Sequence, residues 1–316
     1  MYHPQTISVN NTSIEIEWSS RMSKIPAKVV SKKGRVIFVL SKSIVTSLEE
    51  INRVISDLFE SKKVYITDCG QLHIRGKRLG SGGFSTIFEC VDDQSVVIKT
   101  CKNHQSLKEE IYAYSMMEMA QNSAIPEFKG CVGDECIILE RYETDLFSMM
   151  NKLDQDNLCS IVIDVIHCLR FIHSLGFVHC DVKPGNILLS GGRAVLGDLG
   201  LAKKYQHGRR IPDKKNKRFG TLAYMSLDVH ARILPTRRSD MESLGWVIVE
   251  LFGGKLPWRG IRDIDTVETM KKEFQKELQP FDKKVEAYLS IVRSIGYNDE
   301  PKYTEMIEIF AKDKPS

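Results

Sequence analysis

The hydrophobic positions of this chain change period along its length, from the alternation of strands to the spacing of helices. After residue 72, short apolar runs separated by Gly, Asp and Asn predict strands at Ile74–Leu79, Thr86–Val91 and Ser95–Thr100. The turn Asp92-Asp93-Gln94 joins the last two as a hairpin, and a further strand is predicted at Ile137–Leu139. This part of the chain is therefore expected to be rich in β-sheet.

Helical spacing dominates from about residue 140 onward, after one earlier helix with Leu107, Ile111, Tyr114 and Met117 on a single face. Two later helices are predicted by apolar residues at Leu158, Ile161, Val162, Val165, Ile166, Leu169 and Ile172, and at Leu244, Val247, Ile248 and Leu251. Their apolar faces most simply form a shared core. We expect an α+β protein in which a β-rich lobe and a helical lobe meet near Glu140–Tyr142.

The first 71 residues form a smaller segment with its own pattern. Arg35–Leu40 and Val64–Ile66 have the β-branched content of strands, and Ser47 with Glu50 has the spacing of a helix capping box. Apolar residues follow at helical spacing at Ile51, Val54, Ile55 and Leu58. These signals predict a strand–helix–strand extension of unknown role at residues 1–71, before a β-rich lobe at 72–140 and a helical lobe at 141–316.

Composition narrows the class of protein. A formal net charge of +4 over 316 residues argues against a dedicated nucleic-acid coat. The eight cysteines are scattered, without a C-x-x-C pair or metal-ligand spacing, which is typical of thiols in a reducing compartment. The polar N-terminus lacks a signal core, and the most apolar stretch, Ile161–Ile172, is interrupted by polar residues. We expect a soluble intracellular protein, cytoplasmic or nuclear, that does not cross a membrane.

A glycine-rich hairpin between two predicted strands indicates nucleotide binding. Glycines let a backbone approach a phosphate chain and direct amides toward it. A Rossmann interpretation fails because no helix opens after the loop, and a Walker loop fails because no Gly-Lys-Ser/Thr follows. The candidate nucleotide-binding residues of the hairpin are Leu79, Gly80, Ser81, Gly82, Gly83, Phe84, Ser85, Thr86 and Ile87.

Lys99 ends an apolar strand soon after this hairpin. A lysine there is costly unless its ammonium meets anions, and nucleotide phosphates with a helix carboxylate would supply them. Glu109 and Glu110 of the next helix compete for that role. We favour Glu110, since Tyr114 and Met117 at i+4 and i+7 place it beside the buried face.

Residues 179–186 carry the decisive motif, His-Cys-Asp-Val-Lys-Pro-Gly-Asn, and Asp198-Leu199-Gly200 follows it. Asp181 is the predicted base that aligns an attacking hydroxyl, and Lys183 the partner of the transferred phosphoryl group. Asn186 and Asp198 offer the hard oxygen ligands that Mg²⁺ prefers. We interpret His179 as a hydrogen-bonded packing residue rather than a proton carrier, because Asp181 already has that role.

The glycine loop, strand lysine, H-x-D-x-K-x-x-N and D-x-G motifs, in this order, resemble a eukaryotic-type protein kinase over roughly residues 72–316. Segments 199–205, 220–228, 237–245, 256–258 and 297–303 are similar to the casein kinase I superfamily, nearest its vaccinia-related kinase branch. Virally encoded kinases exist in this superfamily, and the divergent motifs would suit one.

This resemblance implies a two-lobed kinase fold that transfers the γ-phosphate of ATP, with Mg²⁺, to Ser or Thr hydroxyls of proteins. Adenine would contact the strand ending at Leu139 and the hinge Glu140–Tyr142. Glu140 and Tyr142 are the candidate nucleotide-binding residues of this hinge. Leu199 replaces the usual Phe but keeps an apolar plug. Cys180 stands where many kinases have an Arg that pairs with a phosphorylated loop. We therefore expect activity without loop phosphorylation.

A basic stretch from Lys203 to Arg218 leaves three interpretations open: a solvated loop, an anion site favouring acidic or phosphorylated substrates, and a nucleic-acid contact. The small net charge disfavours the last. Asp240 is expected to accept amides of the catalytic loop, or to cap its own helix, or both. The rival to the enzyme is a pseudokinase scaffold, which retention of Lys99, Asp181 and Asp198 disfavours. The substrate and oligomeric state do not follow from the sequence.

Overall fold

The structure is a computed structural model of the chain. It describes residues 50–311, with short gaps at 51–52, 58–63, 69–70, 84, 121–122, 206, 209 and 277–281, and four strands before residue 50. Contacts divide the chain into two compact units, the first Met1–Ile111 with Glu127–Arg141, and the second Tyr112–Pro126 with Tyr142–Ser316. Helix α1 (His104–Glu118) runs from the first unit into the second.

The first unit contains two sheets. A four-stranded sheet has the order β1-β2-β4-β3, built from β1 (Gln5–Val9), β2 (Thr12–Ser19), β3 (Ala27–Lys32) and β4 (Arg35–Ser41). A six-stranded sheet has the order β5-β6-β7-β8-β10-β9, built from β5 (Val64–Ile66), β6 (Leu72–Ser81), β7 (Ser85–Cys90), β8 (Val96–Cys101), β9 (Phe128–Val132) and β10 (Cys136–Glu140). The predicted strands after residue 72 are confirmed within two residues at each end.

The N-terminal segment differs from the sequence prediction in its strand content. Strands β1, β2 and β3 were not predicted, although Thr12–Ser19 alternates apolar and polar residues with period two. Strand β5 is present but pairs with β6, so it belongs to the six-stranded sheet. Residues 53–57 are helical. The capping box at Ser47 and the apolar positions Ile51 and Leu58 lie outside the described residues.

The second unit is mainly helical. Its helices are α2 (Leu146–Met149), α3 (Gln155–Ser174), α4 (Leu227–His230), α5 (Arg237–Leu251), α6 (Ile264–Lys276), α7 (Lys283–Ser294) and α8 (Tyr303–Ala311). Short strands complete it: β11 (Thr144–Asp145), β12 (Phe177–Val178), β13 (Ile187–Ser190), β14 (Arg193–Leu196) and β15 (Lys203–Lys204). Strands β11, β13 and β14 form one sheet, and β12 pairs with β15.

Helix α3 forms the centre of this unit. The seven predicted apolar positions on α3 are all buried, and α3 packs against α5, α8 and β14, so the predicted shared core is confirmed. Full burial of each large aliphatic side chain contributes about 1.5–3 kcal/mol. By length and composition alone α3 could span a membrane, but more than half of its most apolar window is buried inside the unit, as in a core helix.

Candidate active site

Asp181 lies in the loop that follows β12 and is 8 % exposed. Lys183 Nζ donates to Asp181 Oδ2 at 2.6 Å, and Asn186 Nδ2 donates to the same oxygen at 3.1 Å. The amide and the hydroxyl of Thr221 both donate to Asp181 Oδ1 at 2.8 Å. Four hydrogen bonds therefore fix the orientation of this carboxylate. Thr221 was not predicted as a site residue, although it lies in segment 220–228, which resembles the casein kinase I superfamily.

Asp240 accepts hydrogen bonds from the backbone of this loop. Its carboxylate accepts from the amides of His179, at 2.7 Å, and Cys180, at 2.8 Å, and contacts His173 Nε2 at 2.8 Å. Burial by itself raises the pKa of Asp240, but the hydrogen bonds and charge of His173 and His179 outweigh it and lower the pKa below its ordinary value. The predicted acceptance of loop amides by Asp240 is confirmed. Its alternative role as a helix cap is wrong, because Thr236 is the N-cap of α5.

Backbone strain occurs in this loop and in the Asp198 turn. Cys180 and Asp198 have positive φ, at 69° and 60°, as Arg232 does elsewhere at 59°, a conformation that costs a non-glycine residue about 1–3 kcal/mol. Gly220 has φ +92°, and a Cβ there would lie 2.8 Å from the carbonyl oxygen of Cys180. Only glycine therefore fits beside the loop at position 220.

The Asp198 turn is tied to the same loop by its neighbours. His179 Nε2 lies 2.9 Å from the carbonyl oxygen of Gly197, and the amide of Gly197 donates to the carbonyl of Asn186 at 2.8 Å. The imidazole of His179 is fully buried, as expected of a packing residue. Leu199 is 1 % exposed and fits the predicted apolar plug. The second unit thus brings four predicted site residues together: Asp181, Lys183, Asn186 and Asp198.

Lys99 lies in β8, between β7 and β10 in the six-stranded sheet of the first unit. Its ammonium is buried and lies 2.5 Å from Glu110 Oε1 of α1. Glu109, by contrast, is exposed and accepts from Gln105 Nε2 at 3.4 Å. The carboxylate that pairs with Lys99 in this structure is therefore that of Glu110.

The glycine-rich hairpin connects β6 and β7, and the amide of Gly82 donates to the carbonyl of Ser85 at 2.9 Å. A Cβ added at Gly80 or Gly83 would meet no heavy atom of the described residues within 4 Å, and neither glycine has positive φ. Neither packing nor backbone conformation within the described structure explains these glycines. A ligand that approaches the backbone closely would explain both. Leu79 is 41 % exposed at the base of the hairpin, and Phe84 lies outside the described residues.

The remaining predicted nucleotide contacts, Glu140 and Tyr142, are half-buried. Glu140 ends β10 opposite Val96, and its amide donates to the carbonyl of Glu127 at 2.9 Å. The amide of Arg141 donates to the carbonyl of Ser95 at 2.7 Å. These backbone bonds fix the end of β10 within the first unit, while Tyr142 begins the second of the two segments that form the second unit.

Among the residues that the structure describes, two groups of side chains have the chemistry of metal ligands. Asn186 and Asp198 supply the hard oxygens that suit Mg²⁺. Elsewhere, His73, Cys90 and Asp92 have donor atoms within 4.8 Å of one another. Burial and the charge of Asp92 raise the pKa of Cys90 to about 12, and the thiol donates to Asp92 Oδ1 at 3.2 Å. We interpret these three residues as a hydrogen-bonded cluster that fastens β7 to β6.

Comparison with known proteins shows which family the chain belongs to. Residues 73–313 match the family model of the protein kinase domain. One relative is a Fowlpox virus (strain NVSL) protein described as a probable serine/threonine-protein kinase. It is 31 % identical to this chain over 279 residues, which cover 75 % of this chain and 91 % of the relative. The solved structure of vaccinia related kinase 3 matches with a TM-score of 0.67 and 19 % identity, over 78 % of this chain and 88 % of that one. The predicted kinase fold is therefore confirmed, and the chain belongs to the protein kinase family.

Proposed function

We propose that this protein is a serine/threonine kinase that transfers the γ-phosphate of ATP to hydroxyl groups of protein substrates, with Mg²⁺ as the metal. The observation that carries the proposal is the Asp181 carboxylate, held by Lys183, Asn186 and Thr221 in a strained, well-anchored loop. The Fowlpox virus relative and the Ser/Thr character of the resembling superfamily support the choice of substrate hydroxyl.

Bound Mg-ATP would supply the phosphoryl group and the charge neutralisation that its transfer requires. Asp181 accepts the proton of the attacking hydroxyl and aligns its oxygen. Lys183, beside it, presents a cation to the transferred group, and Asn186 with Asp198 would hold the metal. In the first unit, Lys99 is ion-paired with Glu110 and would bind the phosphates. The glycine-rich hairpin, Glu140 and the neighbouring backbone would contact the rest of the nucleotide. Positioning and electrostatics account for catalysis of this kind.

Asp181→Asn tests the proposal most directly. With radiolabelled ATP and a generic acceptor protein, we expect the substitution to reduce transfer by about 10²–10⁴-fold, the usual contribution of a general base. Asp156→Asn, at an exposed position of α3, is the matched control and should retain full activity. Phosphoamino-acid analysis should show phosphoserine or phosphothreonine. A parent that binds ATP without transferring phosphate would support the pseudokinase scaffold instead.

We further propose that activity does not require phosphorylation of the loop after Asp198. Cys180 cannot pair with a phosphate, and Thr221 already contacts Asp181 in the unmodified chain. Arg210 of the same loop contacts the buried Asp228 at 2.7 Å, so this loop arginine already has an internal carboxylate partner. Phosphatase treatment should leave the specific activity unchanged, and a large loss would contradict this point.

The basic segment supports a preference for acidic or phosphorylated substrates. Arg218 is committed to internal partners, Asp265 and Glu268, but the lysines at 214, 215 and 217 are exposed. Peptide arrays with and without acidic flanks test this preference, and equal phosphorylation of both sets would remove it. A salt-dependent shift assay separates it from nucleic-acid binding. The scattered cysteines, without a C-x-x-C pair or metal-ligand spacing, support a reducing, intracellular site of action.

A further inference from the structure

Lys271, on the inner face of α6, is a fully buried lysine in the second unit. Its Nζ donates to the carbonyl of Met225 at 2.6 Å and to the carbonyl of Leu222 at 3.0 Å. Both carbonyls belong to the segment of residues 221–227, which begins with Thr221. A buried ammonium is costly unless it is hydrogen-bonded, so this geometry has to be maintained by the surrounding fold.

Aromatic rings surround the Lys271 ammonium. It lies 5.4 Å from the ring centroid of Trp258 and 5.7 Å from that of Trp246, within the range of cation–π attraction. Trp258 also donates from Nε1 to the carbonyl of Ala223 at 2.8 Å. Burial lowers the pKa of Lys271, but a neutral amine keeps two N–H donors, so both carbonyl contacts survive either protonation state.

Further side chains from α5 hold the rest of the segment. Glu242 Oε1 accepts from the amide of Leu227 at 2.9 Å, and Glu250 Oε2 accepts from the Tyr224 hydroxyl at 2.5 Å. The carbonyls of residues 222, 223 and 225, and the amide of residue 227, are therefore all bound to side chains of α5, α6 or Trp258. Thr221 begins this segment, and its amide and hydroxyl contact Asp181.

We propose that Lys271 is a positioning residue for phosphoryl transfer: by holding the carbonyls of Leu222 and Met225, it fixes Thr221 against Asp181. This inference rests on the proposed kinase activity. Without the Lys271 ammonium, the carbonyls of Leu222 and Met225 would lose their donor and Thr221 would be able to move. The groups that contact ATP would be unchanged. Because small displacements of catalytic groups have large effects on rate, the consequence should appear in turnover.

The primary test compares Lys271→Met, which keeps length and apolar bulk, with Lys272→Met at the exposed neighbouring position. We expect Lys271→Met to lower kcat by roughly ten- to a hundredfold, with the KM for ATP within about twofold of the parent. Lys272→Met should match the parent in both constants. Lys271→Met with parental kcat would overturn the proposal, and so would equal changes in kcat and in ATP affinity, which indicate general damage.

Hydrogen exchange supplies a readout that does not depend on activity. We expect amides of residues 221–227 to lose protection in Lys271→Met, while those of α3 keep it; unchanged protection in 221–227 would contradict the proposal. If Lys271→Met does not fold, Trp258→Phe removes the Nε1 donor to Ala223 and reduces the ring beside the Lys271 ammonium, and it should give the same local pattern with a smaller loss of kcat. A parent that transfers no phosphate would refute the proposed function, and the exchange comparison would still decide how the segment is held.

Discussion

Two buried lysines, one in each unit, show how differently a fold can accommodate the same cation. Lys99 in the first unit faces a carboxylate, Glu110, and both side chains are almost completely buried. Lys271 in the second unit faces two carbonyls and two indole rings. Lys99 contacts a carboxylate at hydrogen-bond distance, whereas Lys271 donates to neutral carbonyls, and the charge of Glu242 acts on it without being its main support.

This difference has energetic consequences. Removing one member of a buried ion pair leaves an uncompensated charge, which typically costs 3–5 kcal/mol. Removing the Lys271 ammonium leaves two carbonyls without their donor, each a penalty of about 1–3 kcal/mol. We therefore expect Lys99 to be coupled mainly to Glu110, and Lys271 to be coupled to the position of a whole backbone segment.

The largest predicted effect separates the electrostatic from the catalytic contribution of Lys99. Lys99→Met should abolish measurable phosphate transfer and reduce the free energy of unfolding by about 3–5 kcal/mol, because Glu110 is left buried and charged. Adding Glu110→Leu should recover most of the stability but none of the activity. Denaturant unfolding and phosphate transfer measure the two quantities. A double variant as unstable as Lys99→Met would show that Glu110 is not the source of the penalty.

A buried anion extends the comparison. Asp240 accepts hydrogen bonds from His173, His179 and Cys180, so Asp240→Ala removes the acceptor of all three. We expect a loss of about 3 kcal/mol in the free energy of unfolding, together with slower phosphate transfer, since the Asp181 loop loses its support. A variant that melts like the parent and keeps full activity would show that the loop does not need Asp240.

The smallest predicted effect concerns pH. His230 is buried near Lys271, and burial, with the charges of Lys271 and Arg218, lowers its pKa from 6.5 to about 3. The unfolded chain then binds a proton below pH 6.5 that the folded chain does not, so stability falls as the pH drops from 6.5 toward 3, by up to about 1.4 kcal/mol per pH unit.

His230→Phe should remove this component. We expect the stability difference between the variant and the parent to grow in favour of the variant as the pH falls from 7 to 5, with urea unfolding as the measurement. Burial raises the pKa of Glu242 to about 7, which acts in the opposite direction, but subtracting the parent curve removes that contribution. A difference that is independent of pH would mean that His230 has the same pKa in the folded and in the unfolded chain.

Much of the fold and of the site could be predicted from the sequence, because catalytic residues lie at short, fixed spacings. Asp181, Lys183 and Asn186 lie within six consecutive positions, so one loop brings them together. Thr221 could not be placed this way, since its contact with Asp181 closes a separation of 40 residues. Such a contact depends on tertiary packing rather than on local pattern.

Lys271 was missed for a related reason. It lies at i+4 from Val267 and i−3 from Phe274, both buried, so helical periodicity already places it on the inner face of α6. A lysine is ordinarily assigned to solvent, and the carbonyls that permit its burial are 46 and 49 residues away. Strand β2 was missed although its alternation is visible, and β3 was missed because Ala27–Lys32 has no period-two pattern.

Cys180 has a consequence for chemical probes of this protein. Its thiol is adjacent to Asp181, which would make it an attractive target for electrophiles aimed at the catalytic loop. Burial, with the nearby charge of Asp240, raises the pKa of Cys180 well above its ordinary value of 9.0. Since the thiolate is the form that reacts, alkylating reagents should modify Cys180 slowly, and covalent probes directed at this loop would need a different anchor.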